Sequence, residues 1–168
     1  MVSKEFYEKK VREIMKSVDT KEIPIIAVDA SIEDVLKMLR AKSHVWVVDS
    51  LENKKPLGII TEKDFLTVVS PMPRRTWVTG VTIFKTIQQR ELETAEDLMT
   101  RNPIGCKPDD TVEKALDLIR DHGINRLAVV ESKRLVGEIT LDSILEWYSS
   151  CSLLSHRATQ QKTEESER

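Results

Sequence analysis

Gly58-Ile-Ile-Thr61-Glu-Lys-Asp64 decides the reading of this chain. The apolar residues at its start feed a short strand and the residues after Thr61 read as a helix, so the stretch is a strand-to-helix turn. Glycine permits a sharp bend or the close approach of another group. Thr61 stands where a helix N-cap belongs, with Asp64 three residues on. The unpaired N–H groups of such a helix start attract an anion such as phosphate. A carboxylate beside them can accept hydrogen bonds from hydroxyls, for instance a ribose diol. The same pair also fits a capping box, in which it serves only the helix's own donors. Both readings stand at this level.

A weaker copy, Gly137-Glu-Ile-Thr140-Leu-Asp142-Ser143, lies 79 residues downstream, from Gly58 to Gly137 and from Thr61 to Thr140 alike. The flanking pattern repeats with it. Residues 4–17 read as a helix with Phe6, Val11, Ile14 and Met15 near one face. Pro24–Val28 reads as a strand, and Ser31 as the cap of a helix whose buried stripe is Ile32, Val35, Leu36 and Leu39. His44–Val48 and Leu57–Ile60 read as strands across a polar turn, with a helix from Glu62 to about Val69. In the second half Ala95–Met99 matches Val11–Met15 and Pro103–Cys106 begins a strand. Asp110 or Thr111 caps a helix carrying Val112, Ala115, Leu116 and Ile119. Arg126–Val130 and Arg134–Ile139 read as strands and Leu141–Tyr148 as a closing helix. The second copy gains two residues at His122–Asn125 and loses three in its hairpin, as duplicated units do in their loops.

The chain divides accordingly: 1–73, an N-terminal helix and the first repeat; 74–93, a linker holding Arg74, Arg75 and Trp77, with a helix from Val81 to Leu92; 94–151, the second repeat; and 152–168, a polar tail read as disordered. Among its 168 residues, 26 Lys and Arg face 28 Asp and Glu, a net charge of −2 that offers no basic field for nucleic acid. No apolar run has the length of a membrane span, and the charged start lacks a signal-peptide core, so a cytoplasmic location and no membrane partner are expected. Cys106 and Cys151 form no disulfide framework and read as small apolar residues. Gly-rich phosphate motifs, zinc-ligand clusters and a nucleophile–base set are missing; His44, His122 and His156 read as surface or packing residues. The expectation is no enzyme, no catalytic residue, no catalytic cofactor and no metal.

The ordered tandem pair resembles the CBS domain, named after cystathionine β-synthase, over roughly residues 10–70 and 94–150. Its repeat is β-α-β-β-α and its ligand turn is Gly-apolar-x-Thr/Ser-x-x-Asp, which residues 58–64 match in full. The resemblance implies an α/β (α+β) fold in which two repeats pack as a pseudo-two-fold pair. It implies a stand-alone regulatory module sensing AMP, ADP, ATP or S-adenosylmethionine in a cleft between repeats, acting on a separate, unidentified protein. The other reading is a structural or dimerisation protein of the same fold that binds no nucleotide.

Family roles carry over residue by residue. The resemblance implies that Asp64 holds ribose hydroxyls and Thr61 lies near phosphate, with Thr140 and Ser143 as the second-copy positions. His44 and Arg126 stand two residues before the Pro of the family's apolar-Pro-Val-Val strand, where a basic group can meet phosphate. That Pro is replaced by Trp46 and Ala128; Trp46 can stack on adenine or serve as core. Ser143 replaces the second Asp, and Asp142, one position early, points about 100° away on a helix. One competent site, or two unequal ones, follows. A homodimer is also implied, with Trp77, Trp147 and Tyr148 as candidate anchors.

Overall fold

The computed structural model describes residues 4–20, 22–69, 77–78, 81–82 and 92–151. In chain order the elements are α1 (Lys4–Glu8), β1 (Lys16–Ser17), β2 (Ile25–Ala27), α2 (Ile32–Ala41), β3 (His44–Val48), β4 (Pro56–Thr61), α3 (Glu62–Val69), β5 (Trp77–Val78), β6 (Val81–Thr82), α4 (Ala95–Leu98), β7 (Thr100–Arg101), β8 (Gly105–Cys106), α5 (Val112–His122), β9 (Arg126–Glu131), β10 (Arg134–Thr140) and a closing helix, α6, over 141–151. The β-α-β-β-α order therefore occurs twice, as β2-α2-β3-β4-α3 and β8-α5-β9-β10-α6.

Two compact units result, and they divide the chain differently from the sequence repeats. Unit 1 joins Met1–Ile23 to Pro103–Arg168; unit 2 is Pro24–Asn102. The segment ahead of each repeat pairs with the other repeat's strands. In unit 2 the sheet order is β2-β3-β4-β7, and in unit 1 it is β8-β9-β10-β1. β1 meets β10 with Lys16 opposite Glu138 and Ser17 opposite Gly137; β7 meets β4 with Thr100 opposite Ile59 and Arg101 opposite Gly58.

Both glycines are explained by that pairing. A Cβ on Gly137 would lie 2.5 Å from the Lys16 carbonyl oxygen, and one on Gly58 would lie 2.8 Å from that of Thr100. The strand register also shifts just before each glycine, between Val47 and Val48 opposite β4 and between Leu135 and Gly137 in β10. The same irregularity thus recurs at the same point of each repeat.

Local chemistry explains the helices. Ser31 Oγ accepts the Asp34 N–H at 3.2 Å, starting α2, whose Val35 is fully buried while Ile32, Met38 and Leu39 pack partly on unit 2's core. Leu36, expected in that stripe, is half-buried and outside the core cluster. Thr111, rather than Asp110, caps α5, accepting the Lys114 N–H at 3.3 Å. Val112, Ala115 and Ile119 of α5 enter unit 1's core with Leu127, Val129 and Ile139. Burial of each of these Val, Ile and Leu side chains is worth about 1.5–3 kcal/mol. The residues inserted after α5 make a left-handed cap: Gly123, at φ +61°, lets the Ile124 N–H reach the Ile119 carbonyl.

Two expectations are corrected. Residues 4–17 are not one helix: α1 stops at Glu8, Lys10 is extended, and Val11–Glu13 is a short 3₁₀ turn. The N–H groups of Val11 and Arg12 go to the carbonyls of Asp110 and Pro108, so tertiary partners replace helical ones. Val81–Thr82 is a strand paired with Trp77–Val78, not the start of a helix, consistent with the β-preference of these residues. Residues 74–76, 79–80 and 83–91, with Arg74 and Arg75, and the tail 152–168 lie outside the described residues.

The close approach at the two glycines predicts the effect of adding one methyl group. Gly137→Ala should lower unfolding stability by about 1–3 kcal/mol, as overpacking does. Gly58→Ala should cost less, because part of its contact is the flexible Met99 side chain. Urea unfolding of both variants measures this, and parent-like midpoints would contradict the packing argument.

Candidate functional site

Each unit carries its strand-to-helix turn beside the first residue of a neighbouring strand. In unit 2 Thr61 is the direct cross-strand partner of His44, and Ile59 that of Trp46. In unit 1 Thr140 is opposite Arg126, and Glu138 opposite Ala128. Directly opposed residues share one sheet face. Alternation sets that face apart from Val45, Val47 and Ile60, or Leu127, Val129 and Ile139, which enter the helix-side cores. The structure thus twice places a hydroxyl beside a basic residue at the start of a helix.

The first turn holds a carboxylate with divided duties. Asp64 Oδ2 accepts the Thr61 N–H and the Thr61 hydroxyl, each at 2.8 Å. Oδ1 accepts the Thr100 hydroxyl at 3.4 Å. The cap reading is therefore realised through one oxygen. Thr61 and Asp64 are half-buried, so the turn keeps access to solvent. An ionised carboxylate accepts up to about four hydrogen bonds.

The second turn is neutral. Ser143 Oγ accepts the Thr140 N–H at 3.0 Å and donates to the Thr140 carbonyl at 2.9 Å, while Thr140 Oγ1 accepts the Ser143 N–H at 3.2 Å. Ser143 is 5% exposed. Asp142 is exposed, as its one-residue offset requires.

The other predicted residues have distinct settings. His44 is buried, with its ring edge-on to Trp46 at 6.0 Å between centroids. Trp46 is 1% exposed, so its indole is a packed group. Arg126 is half-buried. Among the candidate dimer anchors, Trp147 packs on unit 1's core with the Lys9 ammonium 4.9 Å from its ring, and Tyr148 stands edge-on to Phe6. Nothing of the Trp77 side chain is described.

Two residues escaped sequence reasoning. Thr100 reaches Asp64 from 36 residues away, a contact no local spacing announces. Glu138 is a charged residue only 4% exposed, where the first turn has Ile59. Its signal was present in the mismatch between Gly58-Ile-Ile-Thr61 and Gly137-Glu-Ile-Thr140.

Among the described residues no three His, Cys, Asp or Glu side chains gather as a metal site, and no helix is long and apolar enough to cross a membrane.

The family model for the CBS domain matches residues 11–71 and 95–150. Inosine-5′-monophosphate dehydrogenase of Nitrosopumilus maritimus (strain SCM1) is 30% identical over 122 residues, covering 71% of this chain but 21% of the dehydrogenase. The structure of CBSX2 in complex with AMP superposes with a TM-score of 0.68 at 20% identity, covering 85% of this chain and 98% of that one. The CBS domain pair of protein MJ0100, in complex with 5′-methylthioadenosine and S-adenosyl-L-methionine, gives 0.60 at 26% identity, covering 83% and 99%.

Cys106 supplies a check on the chemistry. It is 5% exposed, and burial first, then the nearby Asp110 charge, pushes its thiol up to about 12. A thiol must ionise to react. Cys106 should therefore resist alkylation by iodoacetamide at pH 8 in the folded protein and react after unfolding, as peptide mapping would show. Rapid native labelling would contradict its burial.

Proposed function

As this chain belongs to the CBS domain family, we propose that it is a regulatory module that binds an adenosine-containing ligand: AMP, ADP, ATP or S-adenosylmethionine. The observation that carries this reading is the twice-built arrangement of turn hydroxyl, helix start and opposed basic residue, Thr61 with His44 and Thr140 with Arg126. Asp64 adds the carboxylate suited to a ribose diol. AMP in the CBSX2 complex, and methylthioadenosine and S-adenosylmethionine in the MJ0100 complex, support the ligand class. In this reading Thr61, Thr140, His44 and Arg126 serve the anionic end and Asp64 serves the ribose, while Ser143 only shapes the second turn and Trp46, 1% exposed, is a packing group rather than a stacking surface for the base. The module acts in the cytoplasm on a regulated protein and performs no catalysis itself.

A structural or dimerisation module without nucleotide is the second reading. It is favoured by the commitment of Asp64 Oδ2 to the cap and by the buried indole of Trp46. A thermal-shift panel of AMP, ADP, ATP, S-adenosylmethionine and methylthioadenosine separates the two. Ligand at about 100 times its dissociation constant stabilises by about 2.7 kcal/mol; a flat response throughout supports the structural reading.

The asymmetry of the turns gives a sharper expectation. Loss of a charge-assisted contact worth about 1.5–3 kcal/mol should make Asp64→Ala bind the selected nucleotide about 10- to 100-fold more weakly. Asp142→Ala should change affinity by less than about threefold, since its side chain turns away by about 100°. Calorimetric titration of folded variants measures both, and the opposite order would assign the site wrongly.

We also infer a homodimer formed through the closing helices. Leu66 of α3 and Leu145 of α6 occupy equivalent positions 79 residues apart and are 60% and 59% exposed. Sedimentation at micromolar concentration should show a dimer that Leu145→Glu weakens; a monomeric parent chain would refute it.

A further inference from the structure

Asp64 keeps its two oxygens for different partners. Oδ2 is tied to Thr61 by two short bonds that fix the start of α3. Oδ1 takes the Thr100 hydroxyl at 3.4 Å, long for an O–H···O contact. Thr100 is exposed, and β7 holds its backbone firmly: it is in register with Ile59, and its carbonyl packs against Gly58. To this carboxylate, the Thr100 hydroxyl is chemically what a ribose hydroxyl would be.

We propose that Thr100 is a built-in competitor of the ligand, its hydroxyl holding Asp64 Oδ1 until a ligand hydroxyl takes its place. This rests on the reading of Asp64 as the diol acceptor. The exchange is one hydrogen bond for another, so Thr100 sets the affinity without contributing to it. It also reaches beyond the turn. Thr100 stands two residues before Asn102, where the chain leaves unit 2, so displacement frees a side-chain bond between β7 and the first turn of α3. Among the described residues unit 1 shows no such pair. There Ser143 replaces Asp64 and closes its turn on Thr140, and Lys16 stands in the place of Thr100.

The sign of one affinity change tests the proposal. Thr100→Val keeps the branched shape suited to a strand and removes the hydroxyl; Thr100→Ser keeps the hydroxyl. Calorimetric titration uses AMP and its 2′,3′-dideoxy analogue, which lacks both ribose hydroxyls. Thr100→Val should bind AMP about three- to tenfold more tightly than the parent, the effect of removing one modest competing hydrogen bond. Thr100→Ser should match the parent, and the dideoxy analogue should bind parent and Thr100→Val alike. Weaker or unchanged AMP binding by Thr100→Val overturns the competition, as does a gain that persists with the dideoxy analogue. If the parent binds neither AMP nor the other nucleotides of the panel, the ligand-sensing reading falls and this proposal with it.

Discussion

A strand carbonyl lies where a side chain would otherwise begin, once in each unit. At Gly137 that oxygen belongs to Lys16, and at Gly58 to Thr100. Each contact lets a distant segment add a fourth strand beside the strand that leads into the turn. Without β1 and β7, β10 and β4 would present unpaired backbone groups at an edge. The added strands also carry side chains to the turn's flank, which is how Thr100 comes to touch Asp64. The glycine in the turn motif is thus a packing requirement first, and the chemistry beside it follows from the packing.

The two turns share a backbone solution and differ in charge. Both tie the helix-start residue to the side chain three positions later, by Asp64 in one case and by Ser143 in the other. Serine can both accept and donate, so it closes the turn by itself and is buried there. Aspartate can only accept, and its second oxygen extends outward to another hydroxyl. A duplicated scaffold therefore presents one anionic and one neutral turn. The strand faces diverge too: Trp46 with Ile59 in unit 2 corresponds to Ala128 with Glu138 in unit 1.

Capping and ligand binding are not exclusive uses of Asp64. The helix start requires one oxygen at hydrogen-bonding distance from Thr61, and the geometry supplies it with Oδ2. What that requirement leaves is an oriented carboxyl group, held in place, whose other oxygen can address a hydroxyl. Preorganisation of this kind lowers the ordering cost of binding.

The sequence by itself determined the β-α-β-β-α order, the duplication, the helix cap at Ser31 and the displacement of Asp142, because these follow from residue spacing, strand alternation and short-range hydrogen bonds; it left the second cap between Asp110 and Thr111. It also marked Thr61 with Thr140, 79 residues apart, and His44 with Arg126, 82 apart, as corresponding positions of the two copies. Only the tertiary structure decided that residues 4–17 break into α1, a 3₁₀ turn and β1, because the carbonyls that capture Val11 and Arg12 come from Pro108 and Asp110. It alone decided which repeat each leading segment joins, that Trp46 is packed away, and that Thr100 sits on Asp64. Those outcomes depend on contacts between residues tens of positions apart, whose energies no local pattern encodes.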